Sequence, residues 1–215
     1  VFYNPTAGSG EVVRTGDEIT ISGSTMFLLT KVDEDDNPIG FDSGVEIVSI
    51  ESSNKDIARV EREGTDTLGY NVTITAVSPG QTSINVQIKE PIYDENGVLT
   101  GKSNSYTFTC TVNVKMEIDR SDVHWKTVST DNKVLVLNQS ETYPVLLKGV
   151  ENKAVNSSLM QWNWPNDGVI QLDESTGTIT PKGAGVAKIS LKPTTGSQKA
   201  EEITVIVSPT GTEKF

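Results

Sequence analysis

Residues 50–60 read IESSNKDIARV, and after a turn-rich interval residues 76–86 read AVSPGQTSINV. The second half of the chain repeats this arrangement, with WNWPNDGVIQL at 162–172 and TPKGAGVAKISL at 180–191. Gly80 and Gly185 occupy the same place in the two copies and lie about one domain length apart, much more than the ~20–50 residues of a solenoid repeat. The pattern therefore predicts two copies of one domain, spanning residues 1–115 and 116–215.

Apolar and polar residues alternate through both halves, and no long window has the spacing of an amphipathic helix. The sequence therefore predicts an all-β chain of two tandem β-sandwich domains. The predicted strands are residues 18–22, 25–31, 46–51, 58–61, 70–77, 82–88, 105–114, 133–137, 141–148, 159–162, 170–172, 178–180, 185–192 and 202–207.

Two local features qualify the picture of two equal domains. Residues 93–99 contain Asn96-Gly97 and are predicted to form an extra hairpin, inserted before the last strand of the first domain. Residues 115–119 contain neither glycine nor proline. They predict a short, stiff joint between the domains.

The repeated blocks resemble the group 2 bacterial immunoglobulin-like domain, whose motif combines a Ser-Ser-Asn corner, an apolar-Ala-x-Val strand and a closing Ala-x-x-x-Gly run. The second copy departs from the motif, since Trp164-Pro165 replaces the serine pair, and the first has Ile50 where an aromatic residue is usual. The matching residues are Ser52, Ser53, Asn54, Ile57, Ala58, Val60, Ala76, Val77, Gly80, Thr82, Ile84 and Val86 in the first copy, and Trp162, Asn166, Val169, Leu172, Gly177, Ile179, Gly185, Ala187, Ile189 and Leu191 in the second.

This resemblance implies an immunoglobulin-like sandwich with a structural or adhesive role at a bacterial cell surface, and it implies no catalytic residues. We expect the chain to be part of a longer secreted or surface-anchored protein. Its expected partners are neighbouring domains of that chain and a surface glycan or protein ligand.

Charge and composition exclude several other classes of function. The formal net charge is -11, from 29 acidic and 18 basic residues, so the surface repels nucleic acid and anionic membranes. No stretch approaches the ~20 apolar residues of a membrane span. We therefore expect neither nucleic-acid binding nor membrane contact by this segment.

The residues needed for common catalytic mechanisms are scarce. His124 is the single histidine and has no neighbouring cysteine or histidine for zinc, so it is interpreted as a surface or strand-edge residue. Cys110 is the single cysteine and lies in the alternation of residues 106–114, which predicts a buried, inert thiol. The sequence thus predicts a protein that is not an enzyme and needs no cofactor.

The acidic run Asp33-Glu34-Asp35-Asp36-Asn37 suggests a calcium loop, with Asp33, Asp35 and Asn37 as alternate oxygen ligands. Pro38 stands where such a loop needs glycine, and no bidentate glutamate follows at the required distance. An acidic hairpin loop without a metal is the alternative interpretation.

The tryptophans are the remaining candidates for recognition. Trp162 aligns with the core aromatic of the resembled family and is expected to fill the sandwich. Trp164 and Trp125 are candidate ligand-binding residues, because an exposed indole can stack on a sugar ring or contact a protein. Packing against a neighbouring loop or the domain joint is the alternative for Trp164.

Three functions remain open at this point. The first is a noncatalytic extracellular spacer or adhesion segment. The second is a carbohydrate-binding or receptor-binding module, which requires an exposed aromatic patch around Trp164 or Trp125. The third is an accessory domain of a secreted enzyme.

Overall fold

The computed structural model describes residues 1–6, 10–127 and 133–209. Within these ranges the chain forms strands, turns and loops, and none of it forms a helix long and apolar enough to cross a membrane. The chain divides into two compact units, Val1–Val77 with Gln81–Val114, and Lys115–Phe215 with Ser78–Gly80.

The strands of the described residues follow one another in two groups. Those of the first half are β1 Phe2–Asn4, β2 Glu11–Val13, β3 Glu18–Ile21, β4 Ser24–Leu29, β5 Glu46–Ser52, β6 Ala58–Asp66, β7 Gly69–Ala76, β8 Gly80–Tyr93 and β9 Leu99–Val114. Those of the second half are β10 Trp125–Thr127, β11 Lys133–Asn138, β12 Tyr143–Pro144, β13 Met160–Asn163, β14 Ile170–Asp173, β15 Thr178–Pro181, β16 Gly185–Pro193 and β17 Glu201–Ser208.

The first unit is a sandwich of two sheets, with strand orders β2-β1-β4-β7-β6 and β3-β9-β8-β5. Alternate residues of β8 and β9 are buried, as expected when one face of a strand covers a core. Phe2 on β1 meets Phe108 on β9 edge to face, with ring centroids 5.0 Å apart. This aromatic contact joins the two sheets across the core.

The second unit is also a sandwich, with strand orders β10-β11-β17-β16-β13 and β12-β15-β14. Its core combines Leu135, Ile189 and Val205 from the larger sheet with Leu172 and Ile179 from the smaller one, all at most 5% exposed. Burial of these side chains against one another is the main stabilising interaction of the unit.

The two sandwiches share one strand order. The order β3-β9-β8-β5 corresponds to β11-β17-β16-β13, and β4-β7-β6 corresponds to β12-β15-β14. Sheets of four and three strands are the arrangement of an immunoglobulin constant-type sandwich. The predicted fold class, all-β with immunoglobulin-like sandwiches, is confirmed, whereas β1, β2 and β10 are additions at sheet edges that were too short to predict.

The glycines of the repeated motif begin the corresponding strands β8 and β16. Gly80 has φ 144° and Gly185 has φ 153°, both in the region that favours glycine. Six residues later, Val86 pairs with Ile50 and Leu191 pairs with Trp162. The sequence alignment of Ile50 with Trp162 therefore holds in the strand register.

The Ser-Ser-Asn corner makes hydrogen bonds both within its own turn and to a neighbouring strand. The side-chain oxygen of Asn54 accepts a hydrogen bond of 3.0 Å from the backbone N–H of Asp56. Ser53 bonds the hydroxyl of Ser83 on β8 at 2.8 Å. The corner is thus tied to the neighbouring strand as well as to its own backbone.

In each unit an early strand pairs in parallel with the last strand. Glu18–Ile21 of β3 runs beside Thr111–Val114 of β9. Lys133–Asn138 of β11 runs beside Ile203–Ser208 of β17. Within the described residues, the pairs β1–β2, β1–β4, β4–β7, β6–β7 and β5–β8 of the first unit are antiparallel, and so are β10–β11, β12–β15, β13–β16, β14–β15 and β16–β17 of the second.

Residues 93–99 do not form a separate inserted hairpin. Strands β8 and β9 are simply longer than predicted, and residues 94–98 are the turn that joins them, closed by Asp94 N–H to Val98 O at 2.8 Å. The extended strands pass beyond the sandwich, which explains why Tyr106 is 42% exposed although its alternation suggested burial.

The predicted strand at residues 141–148 is largely wrong. Only Tyr143–Pro144 is a strand, and Pro144 has no N–H with which to continue a ladder. After it, Val145 donates to Gly177, Leu147 donates to Lys153 and Lys148 donates to Glu117, so this stretch bonds three separate segments instead of one neighbour.

Cys110 lies in the core of the first unit, with an exposed fraction of 0%. Burial raises the pKa of its thiol to about 11, and the charge of Asp17 acts in the same direction. The prediction of a buried thiol is confirmed.

We expect Cys110 to resist a thiol-specific reagent such as Ellman's reagent in the native chain at pH 8. A pKa of about 11 instead of the ordinary 9.0 leaves ~100-fold less thiolate, and burial also blocks access. Labelling should become fast in denaturing urea. Rapid labelling of the native chain would contradict the placement of this residue.

Candidate functional site

Trp125 is not part of an exposed aromatic patch. It is 8% exposed, and its indole N–H donates to the hydroxyl of Tyr143 at 2.8 Å. The Tyr143 hydroxyl in turn donates to a carboxylate oxygen of Asp122 at 2.6 Å. Because the indole is packed and its donor is used, Trp125 is a buried residue with little free surface for a ligand.

The lone histidine extends this network towards the surface. His124 Nδ1 lies 3.0 Å from Asp122 and Nε2 lies 2.9 Å from Glu141. Burial works to raise the pKa of Asp122, but hydrogen bonds from Tyr143 and His124 outweigh it and lower that pKa. The pKa of Tyr143 is raised by burial and by its bond to Asp122.

This network ties residues 122–125 to residues 141–143 and is structural. His124 lies between two carboxylates, and among the described residues no serine or cysteine beside it forms a nucleophile and base pair. The sequence could not predict these contacts, since Glu141 is remote from His124 along the chain.

In the acidic loop, the carboxylate of Asp33 is hydrogen-bonded by residues of the same loop. Asp33 accepts hydrogen bonds from the backbone N–H groups of Asp35 and Asn37 at 2.9 and 2.8 Å, and from the Asn37 amide. These hydrogen bonds, led by that from the Asn37 backbone, lower the pKa of Asp33. Val32 bridges Pro38 across the turn, so the segment is a hairpin loop.

Both carboxylate oxygens of Asp33 accept hydrogen bonds within the loop, and these bonds compete with coordination of a calcium ion. The described residues contain no cluster of three acidic, histidine or cysteine side chains arranged for a metal. Asp33, Asp35 and Asn37 therefore form a hydrogen-bonded turn that explains their spacing without an ion.

We expect millimolar calcium, compared with EDTA, to leave the thermal melting of the chain unchanged. A site filled at 100 times its dissociation constant would raise the free energy of unfolding by ~2.7 kcal/mol, which a melt detects easily. A calcium-dependent increase that disappears in Asp33→Asn would contradict this interpretation and restore the loop as a metal site.

Trp162 packs at the sandwich edge, on β13, whereas its alignment predicted that it fills the core. It lies opposite the fully buried Leu191 and is itself only partly exposed. Its indole N–H is buried and has no hydrogen-bond partner in the described part of the chain. The ring is thus a packing residue of β13.

Trp164 lies just beyond β13 and remains partly exposed. Its indole N–H donates to Glu174 at 2.9 Å, which fixes the ring beside the end of β14. Trp164 and Pro165 line a groove of about 490 Å³, within the ~300–1,000 Å³ of small-molecule sites. Trp125 lines a separate pocket of about 510 Å³, but it is only 8% exposed, so Trp164 is the more accessible of the two candidate tryptophans.

The rest of the groove crosses the outer face of the larger sheet of the second unit. Apart from Lys133 on β11, its polar side chains come from β13, β16 and β17 and are those of Asn163, Lys188, Ser190, Glu202 and Thr204. Register places Lys188 opposite Thr204 and Ser190 opposite Glu202. Sequence reasoning did not find these residues, because three separate strands bring them together.

No protein-family model and no curated protein matches the sequence. Among solved structures, the chain resembles a C-terminal 282-residue fragment of intimin, crystallised with the intimin-binding domain of its translocated receptor, at 16% identity and a TM-score of 0.34. It also resembles the adhesin InvE of Yersinia pseudotuberculosis, at 15% identity and a TM-score of 0.32.

A third similar structure is a SusE-like surface-located polysaccharide-binding protein of Bacteroides thetaiotaomicron, at 9% identity and a TM-score of 0.32. The alignments cover 93%, 91% and 100% of this chain, and 64%, 58% and 96% of the three structures in turn. The chain thus spans less than two thirds of the intimin and InvE structures. Since all three TM-scores are below 0.5, the fold assignment rests on the strand orders described above.

Proposed function

We propose that the chain is a noncatalytic spacer and adhesion segment of a larger bacterial cell-surface or secreted protein, working outside the cell. We further propose that its two sandwiches are copies of the group 2 bacterial immunoglobulin-like domain. The shared strand order and the equivalent Gly80 and Gly185 support the second proposal.

The parallel pairing of early and last strands is the observation that carries the spacer role. In the β11–β17 pair, tension from the N-terminal side enters at Lys133 and tension from the C-terminal side enters at Ser208, at opposite ends of the pair. The inter-strand hydrogen bonds are therefore loaded together, along the strands. The β3–β9 pair has the same geometry.

A segment that holds a functional tip away from a cell must resist extension. Bonds that share a load resist more than bonds that open one after another, because a single net hydrogen bond contributes only ~0.5–1.5 kcal/mol. Domains before and after this chain would be its structural partners.

Force spectroscopy with two pulling geometries tests this role. In the first, the whole chain is pulled by its two ends, which loads β11–β17 in shear. In the second, a Ser140→Cys handle is pulled against the C-terminal end, so that the same strand pair opens from one end. Cys110 does not compete for the handle chemistry, because it is buried.

We expect the second unit to unfold at a clearly higher force in the first geometry than in the second. Equal forces would show that the parallel pair does not carry load, and the spacer role would lose its support. The first unit is pulled through its ends in the same experiment, so its unfolding force provides an internal reference in the first geometry.

The second candidate function is a recognition module. One observation favours it, the groove beside Trp164 on the outer face of the second sandwich.

A further inference from the structure

The two units differ in the hydrogen bonding of equivalent side chains on the outer face of one sheet. The shared register of Ile50 and Trp162 places Trp164-Pro165 where the first unit has Ser52-Ser53. Counting from Gly80 and Gly185, Lys188 and Ser190 likewise take the places of Ser83 and Asn85.

In the first unit this face is closed by its own side chains. Ser53 bonds Ser83 at 2.8 Å, Asn85 donates to Ser53 at 3.0 Å, and Thr109 donates to Asn85 at 2.9 Å. Each polar group has a partner within the sheet. The face offers little unused hydrogen-bonding capacity to a ligand.

In the second unit the corresponding face is open. Within the described ranges, five of the polar side chains that line the groove have neither a hydrogen-bond nor an ion-pair partner, namely Asn163, Lys188, Ser190, Glu202 and Thr204. Pro165 cannot replace the hydroxyl of Ser53, so it cannot bridge to β16 as that serine bridges to β8. The loss of the serine pair thus removes the closing network, and Trp164 lines the resulting groove.

The groove combines an apolar side with side chains that can donate and accept hydrogen bonds. Trp164 and Pro165 supply an apolar side, while the amide of Asn163 and the hydroxyls of Ser190 and Thr204 can each donate and accept hydrogen bonds. The charges are balanced, since Lys188 is accompanied by Glu202 and Lys133 is paired with Glu201. A pyranose ring has an apolar face and a rim of hydroxyls that also donate and accept.

We propose that this groove binds a neutral oligosaccharide, one ring of which stacks on Trp164. The bond from Trp164 to Glu174 holds the indole in place before binding, which reduces the entropy lost when the ligand binds. The proposal rests on the recognition role and is independent of the spacer role, so a failure in force spectroscopy leaves it intact.

The test is a titration of the whole ¹⁵N-labelled chain with cellohexaose, laminarihexaose, mannohexaose and maltohexaose, with hexagalacturonate as the acidic comparator. The indole N–H signal of Trp164 is followed by NMR, and heat is measured by calorimetry. We expect at least one neutral probe to shift that signal, with a dissociation constant of ~1 mM or below.

Four variants locate the site. Trp164→Ala, and the double change Trp164→Ser with Pro165→Ser, which copies the first unit, should each weaken binding by about tenfold or more. Ser190→Arg fills the floor of the groove from an outward-facing position and should also abolish binding. Ser53→Ala is the matched control on the first unit and should bind as the unchanged chain does.

The proposal is overturned if no neutral probe binds at millimolar concentration, or if only hexagalacturonate binds. It is also overturned if a neutral probe binds with equal affinity to the unchanged chain and to folded Trp164→Ala. NMR spectra of the variants show whether each is folded, and Ser190→Arg provides the answer if Trp164→Ala is not.

Discussion

Replacing Ile189 with alanine is expected to lower the free energy of unfolding of the second unit by about 2–5 kcal/mol. Ile189 is 2% exposed and lies opposite Ile203, which is 1% exposed, at the centre of the larger sheet. The change removes buried methylene and methyl groups and leaves a cavity that a β-sandwich core cannot fully close.

Intrinsic tryptophan fluorescence measures this effect in the whole chain. All three tryptophans, Trp125, Trp162 and Trp164, belong to the second unit, so their signal in urea reports on that unit alone. Lys188→Ala is the matched control on the same strand, where an exposed side chain should change stability by less than ~0.5 kcal/mol. A loss below ~1 kcal/mol for Ile189→Ala would contradict the close packing described here.

Gly69→Ala is expected to destabilise the first unit strongly. Gly69 begins β7 with φ 151°, and a Cβ there would overlap the carbonyl oxygen of Leu29 on β4. Strained backbone costs about 1–3 kcal/mol, and the overlap with backbone atoms adds to that cost. Strand β7 lies between β4 and β6, so a shift would disturb both neighbours.

Labelling of Cys110 in increasing urea measures unfolding of the first unit, because this thiol is buried there and is the single cysteine. Gly64→Ala on β6 is the matched control, since Gly64 has no positive φ and its Cβ would meet open space. We expect Gly64→Ala to unfold within ~0.5 kcal/mol of the unchanged chain. Equal midpoints for the two variants would show that Gly69 has more room than the structure gives it.

The repeated motif was the part of the fold that sequence reasoning predicted best. Glycine at a positive φ before an alternating strand is a strong local signal, and Gly80 and Gly185 both begin core strands as expected. Alternation also placed Cys110, Ile189 and Leu191 correctly in the core. Strands of three residues, such as β1 and β10, have too little alternation to be recognised.

Side-chain networks were harder to predict than strands. Trp125 was a candidate for ligand binding because an exposed indole can stack on a sugar ring or contact a protein. Its burial depends on Tyr143, which supplies both packing and an acceptor from a distant part of the chain. The sequence around Trp125 does not indicate that Tyr143 packs against it.

The groove beside Trp164 could likewise be predicted only in part from the sequence. Trp164 drew attention because it breaks the Ser-Ser pattern, which is a local observation. The polar floor could not be predicted, because it depends on register between β16 and β17 and on which hydroxyls lack partners. A departure from a motif was informative here because the first unit provides an internal comparison.

The pairing of early with last strands also governs when each sandwich can form. The sheet β3-β9-β8-β5 cannot close until β9 is present, and the sheet β10-β11-β17-β16-β13 cannot close until β17 is present, because each of these strands lies between two others of its sheet. Contacts between residues distant in sequence make folding slow, on the order of milliseconds to seconds for sandwiches. A growing chain of this topology therefore cannot complete either sandwich until the final strand of that sandwich has emerged.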